Sequence, residues 1–226
     1  MNISYLFAAL GGAILLWFLL LRQLMEKPWV EKGPIEWEEN AAPTLPAASV
    51  GLWMFLAVVT SLFGLLFITY AERSGYADWR PLPEPGVLWI NTGFLILGSI
   101  ALQRASGALK REDLDGVRLN LTAGGVFTIV FILGQLWAWR ELASMGYFLA
   151  TNPAHSFFYL LTAVHGLHLV GGLWVWAKTT ATVWRGLEAN DVTEVAHLRL
   201  VVRLCSFYWH YLLVLWLVLF YLLLTT

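Results

Sequence analysis

His165 and His168 stand three residues apart in the run TAVHGLHLVGGLWVWAK, which has no other ionisable side chain before Lys178, and His210 stands in the run SFYWHYLLVLW. Imidazoles at i and i+3 share one face of a helix, so the pair could ligate a metal or haem, relay a proton, or hydrogen-bond to a neighbour. A haem needs axial ligands on facing helices and a gap for the macrocycle, and Gly166, Gly171 and Gly172 offer such gaps. The plainer reading is neutral imidazoles hydrogen-bonding between helices, at about 0.6–2 kcal/mol per contact, with the glycines allowing close backbone approach. Contact with lipid headgroups or a partner subunit is the third reading.

The elements that must position these histidines follow from composition. The 226-residue chain is 59% hydrophobic and 13% charged, against roughly 45–50% and about 25% in a soluble domain. A membrane-spanning helix takes about 20 mainly apolar residues, and six segments qualify: Ile3 to Leu21, Val50 to Tyr70, Gly86 to Gln103, Leu119 to Trp139, Ser156 to Ala177 and Leu204 to Leu224. These runs are continuously apolar, without the alternation of barrel strands, and backbone inside lipid must satisfy itself in helices or closed barrels. The fold class is therefore all-α, a polytopic membrane bundle of six transmembrane helices. Residues 1–48 read as an N-terminal helix with a linker and residues 49–226 as a five-helix core. The first span has no basic residue before it and no small-residue cleavage pattern after it, so it reads as a retained helix rather than a signal peptide.

Orientation follows from the basic residues, which accumulate in cytoplasmic loops. Eleven of the 14 Lys and Arg (Arg22, Lys27, Lys32, Arg104, Lys110, Arg111, Arg118, Lys178, Arg185, Arg199, Arg203) fall on one side, and Arg73, Arg80 and Arg140 on the other. Both termini are thereby expected in the periplasm of a bacterial cytoplasmic (inner) membrane. The linker RQLMEKPWVEKGPIEWEENAAPTLPAAS reads as an exposed, acidic strap, and RPLPEPG as a rigid turn into the third span. Many of the 13 tryptophans lie near expected helix ends, among them Trp17, Trp89, Trp137, Trp139, Trp174 and Trp176, where an interfacial position accounts for them.

All 15 acidic residues fall in loops or at helix ends. Pumps and proton relays place ionisable groups within the bundle, so a self-contained pump or a carboxylate-bridged metal enzyme is disfavoured. Cys205 is the single cysteine and cannot form an internal disulfide. Polar residues within the spans, including Asn91, Thr92, Thr128, Gln135, Thr162 and Ser206, can pair across helix contacts beside small residues such as Gly98, Gly124, Gly125 and Gly134. No proline interrupts any of the six spans, unlike the broken helices of transporters.

In order, the segments GLWMFLAVVTSLFGLLFITYAE, PLPEPGVLWINTGFLILGSIALQRA, FILGQLWAWREL, SFFYLLTAVHGLHLVGGLWVW and SFYWHYLLVLWLVLFYLL resemble subunit III of the haem-copper oxidases, the cytochrome c and quinol oxidases. The likeness covers about residues 51–224. It implies a non-catalytic accessory subunit of a respiratory terminal oxidase that packs against subunit I, stabilises it and holds phospholipid in a cleft between helix groups. It further implies no redox centre in this chain, with haems and copper in partner subunits. His165, His168, Gly171, Gly172, Trp209, His210, Trp53, Asn91 and Gln135 become motif residues for packing or lipid contact, with no catalytic or metal-binding residue among them.

This chain departs from the family pattern at three carboxylates, where Val59, Ala138 and Leu213 stand instead. The substitutions remove groups that a proton-antenna role would use and leave packing and lipid roles intact. The single N-terminal span is a further departure, since longer members of the family have two helices before the core and short ones none. The related accessory protein of nitric oxide reductases is the nearest alternative and would account for the lost carboxylates. A small membrane cytochrome or quinol-binding protein using the histidines is the alternative of another class.

Overall fold

The structure, a computed structural model, describes residues 47–83, 86–185 and 192–225, together with Leu19. These residues form five helices: α1 (Ala47–Arg73), α2 (Val87–Lys110), α3 (Leu114–Ser144), α4 (Pro153–Arg185) and α5 (Val192–Leu224). Each is long and apolar enough to cross a membrane, and no strand occurs among the described residues. The chain is a multi-pass, all-helical membrane protein. The five helices take the places of the second to sixth expected spans; the first, Ile3 to Leu21, lies outside the described residues apart from Leu19.

Every helix runs past the span read from hydropathy, most of all α5, which begins at Val192 rather than Leu204. Hydropathy marks the lipid-immersed stretch, whereas helical hydrogen bonding continues into polar turns until a cap or breaker ends it. Asp113 starts α3, its carboxylate accepting from the Gly116 amide at 2.9 Å, a side-chain cap on the first turn. Gly146, with φ +87°, stops α3. Its amide donates to the Ala143 carbonyl at 3.1 Å and that of Tyr147 to Leu142 at 3.0 Å, the paired closure that favours glycine after a helix. Pro153 opens α4, where a missing N–H costs nothing.

Helices α2 to α5 pack as a closed square, with α2 beside α3 and α5, and α4 beside α3 and α5. Its interior stripe on α3 is Leu121, Thr128, Phe131, Gln135, Ala138 and Leu142, the three- and four-residue spacing of one helix face. Helix α1 stands outside the square and approaches only α4 and α5. It is apolar on every side, yet buries only Ser49 and the narrow stripe Leu56, Val59, Phe63 and Tyr70 among its described side chains.

One end of α1 is anchored. Tyr70 packs edge-on against Trp79 and Phe157, with ring centroids at 5.0 and 5.6 Å. Asn152 ties the two neighbouring loops, donating to the Asp78 carbonyl at 2.8 Å and accepting from the Arg80 amide at 3.3 Å. Arg73 donates twice to Asp78, once at 2.7 Å. That hydrogen bond, more than the charge itself, holds the Asp78 carboxyl below the usual carboxylate range. A carboxyl lowered on folding stabilises above its unfolded pKa, and that contribution is lost as pH falls through the lowered value. Asp78→Asn is therefore expected to flatten the acid limb of thermal stability slightly, as read by melting curves against pH. Asp78 is exposed and Arg73 partly so, so the difference should shrink in high salt.

Candidate functional site

Between the N-terminal half of α1 and the α4–α5 pair lies a cleft of about 730 Å³. Ala48, Leu52 and Phe55 form one wall, and Leu167, His168, Gly171, Leu204, Cys205 and Tyr208 lie among the residues opposite. Past Phe55 the walls converge: Thr60 and Tyr211 share a hydroxyl–hydroxyl bond of 2.8 Å, and Phe63 meets the His168 ring at 5.6 Å between centroids. Among the described residues the cleft is thus a wedge, closed by the aromatic anchor at Tyr70 and open at the α1 start.

The polar groups on its walls are engaged by protein. His168 Nδ1 lies 2.7 Å from the Val164 carbonyl one turn back in α4. A carbonyl can only accept, so Nδ1 carries the proton and a neutral ring leaves Nε2 as acceptor. Tyr208 donates its hydroxyl to the His168 carbonyl at 2.9 Å. What remains is mostly hydrocarbon surface, suited to long apolar chains. Past Val175, the last cleft-lining residue of α4, stands Lys178, whose ammonium lies 5.0 Å from the Trp174 ring.

The nine motif residues divide into three places. His168 and Gly171 line the cleft, and Gly172 with Trp209 forms its floor, where α4 and α5 touch. A Cβ on Gly172 would stand 2.6 Å from a Tyr208 ring carbon and 2.7 Å from one of Trp209, so the absent side chain sets this helix approach. Asn91, Gln135 and His165 are buried inside the square. Trp53 and His210 belong to neither group: Trp53 is half exposed with its ring 4.8 Å from Phe207, and His210 is half buried.

Two expectations need correction. The histidines do not hydrogen-bond between helices: His168 and His210 turn Nδ1 to carbonyls of their own helices, Val164 and Ser206, each at 2.7 Å. His165 has no hydrogen-bond partner among the described residues. Each helix already presents an i−4 carbonyl within reach, so a local bond forms without any help from a facing helix. Among the described residues Gly171 is not a contact point either, since none of them lies within 4 Å of its Cβ position; it faces the cleft. Nor do the three histidines converge, and among the described residues no three His, Cys, Asp or Glu side chains are grouped to hold a metal ion.

Beside the Thr60–Tyr211 and Tyr208–His168 bonds, four tryptophans bond between helices. Trp209 Nε1 donates to Thr128 at 2.9 Å, Trp216 to Thr92 at 3.0 Å, Trp139 to Thr162 at 3.1 Å and Trp176 to the Leu121 carbonyl at 2.8 Å. Trp139 and Trp176 therefore fasten helices in addition to lying near helix ends. Thr92, Thr128 and Thr162 thus pair across helix contacts as expected, whereas Trp216 went unrecognised, although a second tryptophan seven residues after Trp209 was a visible sign of one helix face. Val59 and Ala138, at positions of family carboxylates, are buried among apolar side chains, and Leu213 is partly buried against the same core.

No family model matches the chain. The chain is similar to cytochrome c oxidase subunit 3 of Thermostichus vulcanus, 31% identical over 178 residues that cover 77% of this chain and 85% of that protein. The corresponding protein of Synechocystis sp. is 31% identical over 175 residues, 75% of this chain and 72% of its own length. That of Bacillus sp. (strain PS3) is 26% identical over 200 residues, covering 86% and 93% respectively.

Proposed function

Because this chain belongs to the cytochrome c oxidase subunit 3 family, we propose that it is the non-catalytic subunit III of a respiratory haem-copper oxidase. In this reading it packs beside subunit I in a bacterial cytoplasmic membrane, supports the active complex, and retains phospholipid in the wedge between α1 and the α4–α5 pair. The haems and copper belong to partner subunits. The observation that carries the reading is the wedge itself: an apolar cleft of about 730 Å³, closed at one end and, among the described residues, open towards Lys178. Acyl chains fill such a space, and Lys178, one turn past the cleft residue Val175, suits a phosphate headgroup. In this reading the mouth, and the loops near 104–118 and 178–203, face the cytoplasm and both termini the periplasm, an orientation that the basic-residue distribution supports.

The carboxylate positions held by Val59, Ala138 and Leu213 supply no titratable group, so support of subunit I is assigned to packing and lipid retention rather than to proton collection. Gly171 provides the test, because a side chain there enters the cleft without meeting protein. Purification through a tag on this chain should recover an oxidase catalytic subunit for both the native protein and Gly171→Phe. The variant complex should retain fewer phospholipids by mass spectrometry and lose activity several-fold faster during turnover. Recovery with a nitric oxide reductase catalytic subunit, or with none, overturns the oxidase assignment; unchanged lipid content and inactivation overturn the role of the cleft.

A further inference from the structure

Inside the α2–α5 square, away from the cleft, three polar side chains from three helices lie at one level. Asn91 of α2 is 2% exposed, Gln135 of α3 6% and His165 of α4 0%. Among the described residues, Asn91 Nδ2, both polar atoms of Gln135 and both ring nitrogens of His165 have no hydrogen-bond partner. Their common level follows from their neighbours. The Asn91 carboxamide occupies the space that a Cβ of Gly134 would take, beside Gln135 in the chain. Phe131, one turn from Gln135 on the same face, has its ring 6.0 Å from that of His165. Trp216 packs 5.2 Å from His165 and 4.9 Å from Phe131, and its indole N–H is committed to Thr92, the residue after Asn91.

Burying an amide or imidazole without a partner costs about 1–3 kcal/mol per group, and lipid around the square offers no hydrogen bond in compensation. The tryptophan–threonine pairs of the same interior are satisfied in full, whereas Ser99 of α2, two turns from Asn91, is another buried side chain without a partner among the described residues. The unused capacity of Asn91, Gln135 and His165 is mixed. The two amides supply N–H donors and Gln135 an acceptor, while a neutral imidazole supplies one of each. A set of converging donors and acceptors with no charge among them matches water, which takes about three bonds from otherwise unsatisfied buried groups. A metal ion or an anion would need a uniform set of ligands or donors.

We propose that Asn91, Gln135 and His165 bind internal water, one or two molecules that join α2, α3 and α4 at this level. The site stands apart from the cleft and does not depend on what the complex catalyses. Bound water is what synchrotron hydroxyl-radical labelling reads in a buried place, because radicals formed from it oxidise the rings beside it. Full-length protein, purified with its co-purifying partners, would be irradiated after transfer to water enriched in oxygen-18 and mapped by mass spectrometry. Phe131 and Trp216, each no more than 1% exposed, should be labelled with the heavy isotope, and Gln135→Met should lower that labelling several-fold while labelling of exposed Trp137 stays constant. Rings left unlabelled in the native protein, or labelled equally in Gln135→Met, overturn the proposal. If Gln135→Met fails to assemble, Asn91→Leu takes its place, and the native measurement decides by itself whether water is present.

Discussion

Replacing Trp209 with alanine is expected to lower the stability of the folded protein by about 3 kcal/mol, within the range for emptying a large aromatic site. Trp209 is 1% exposed and meets three helices at once: it belongs to α5, its indole N–H bonds Thr128 of α3 at 2.9 Å, and its ring edge lies over Gly172 of α4. Association of helices in lipid rests on packing and polar contacts rather than on exclusion of water. The cost is therefore lost contact and the cavity left behind. Trp209→Phe separates the contributions, since it keeps most of the ring volume and gives up the hydrogen bond. That variant should lose about 1 kcal/mol, because Thr128 still donates to the Gly124 carbonyl at 2.9 Å. Thermal unfolding of the purified complex in detergent should rank native above Trp209→Phe above Trp209→Ala; equal stability of the two variants would show that the hydrogen bond, not the packing, holds α5 in place.

The second large effect is expected from the adjacent helix. A leucine at Gly172 places its Cβ 2.6–2.8 Å from ring carbons of Tyr208 and Trp209, and Trp209 cannot swing aside because its far edge is bonded to Thr128. Helices α4 and α5 must then separate, which breaks the 2.9 Å bond from Tyr208 to the His168 carbonyl and distorts the cleft floor. Overpacking of this kind costs about 1–3 kcal/mol, and recovery of partner subunits through a tag on this chain should fall sharply. Gly171→Ala is the matched control. Its Cβ meets nothing, and alanine is the better helix former by about 1 kcal/mol, so assembly and melting should be unchanged or slightly improved. A Gly172→Leu protein that assembles and melts like the native one would mean that α4 and α5 are not held at this spacing.

The two glycines show where reading the chain succeeds and where it stops. Both stand in the same motif, HGLHLVGGL, and both looked like contact points. Neighbouring residues on a helix point about 100° apart, so one faces Trp209 and the other faces the cleft. Nothing in the local residues says which, because α4 offers apolar side chains in nearly every direction. The same uniformity hides the stripe on α1: in a soluble helix the buried face is the apolar one, but a membrane helix is apolar on all sides and only contact with α4 and α5 distinguishes Leu56, Val59 and Phe63 from Val58 and Leu62. His165 and His168 illustrate the point with polar groups. Their i, i+3 spacing foretold a shared helix face, yet one enters the square beside Phe131 and Trp216 and the other lines the wedge beside Phe55 and Phe63.

Long uninterrupted apolar runs were enough to establish a helical membrane protein, the number and order of the core helices, and their approximate limits, since lipid permits almost no other backbone arrangement. The ordered motifs were enough to indicate the family. The wedge, the tryptophan bonds to Thr92 and Thr128, and the gathering of Asn91, Gln135 and His165 exist only after the helices are packed. Each of these joins residues separated by tens of positions in the chain, and their meeting depends on the rotation and spacing of whole helices, which are set by side chains fitting against one another rather than by any signal within a single helix.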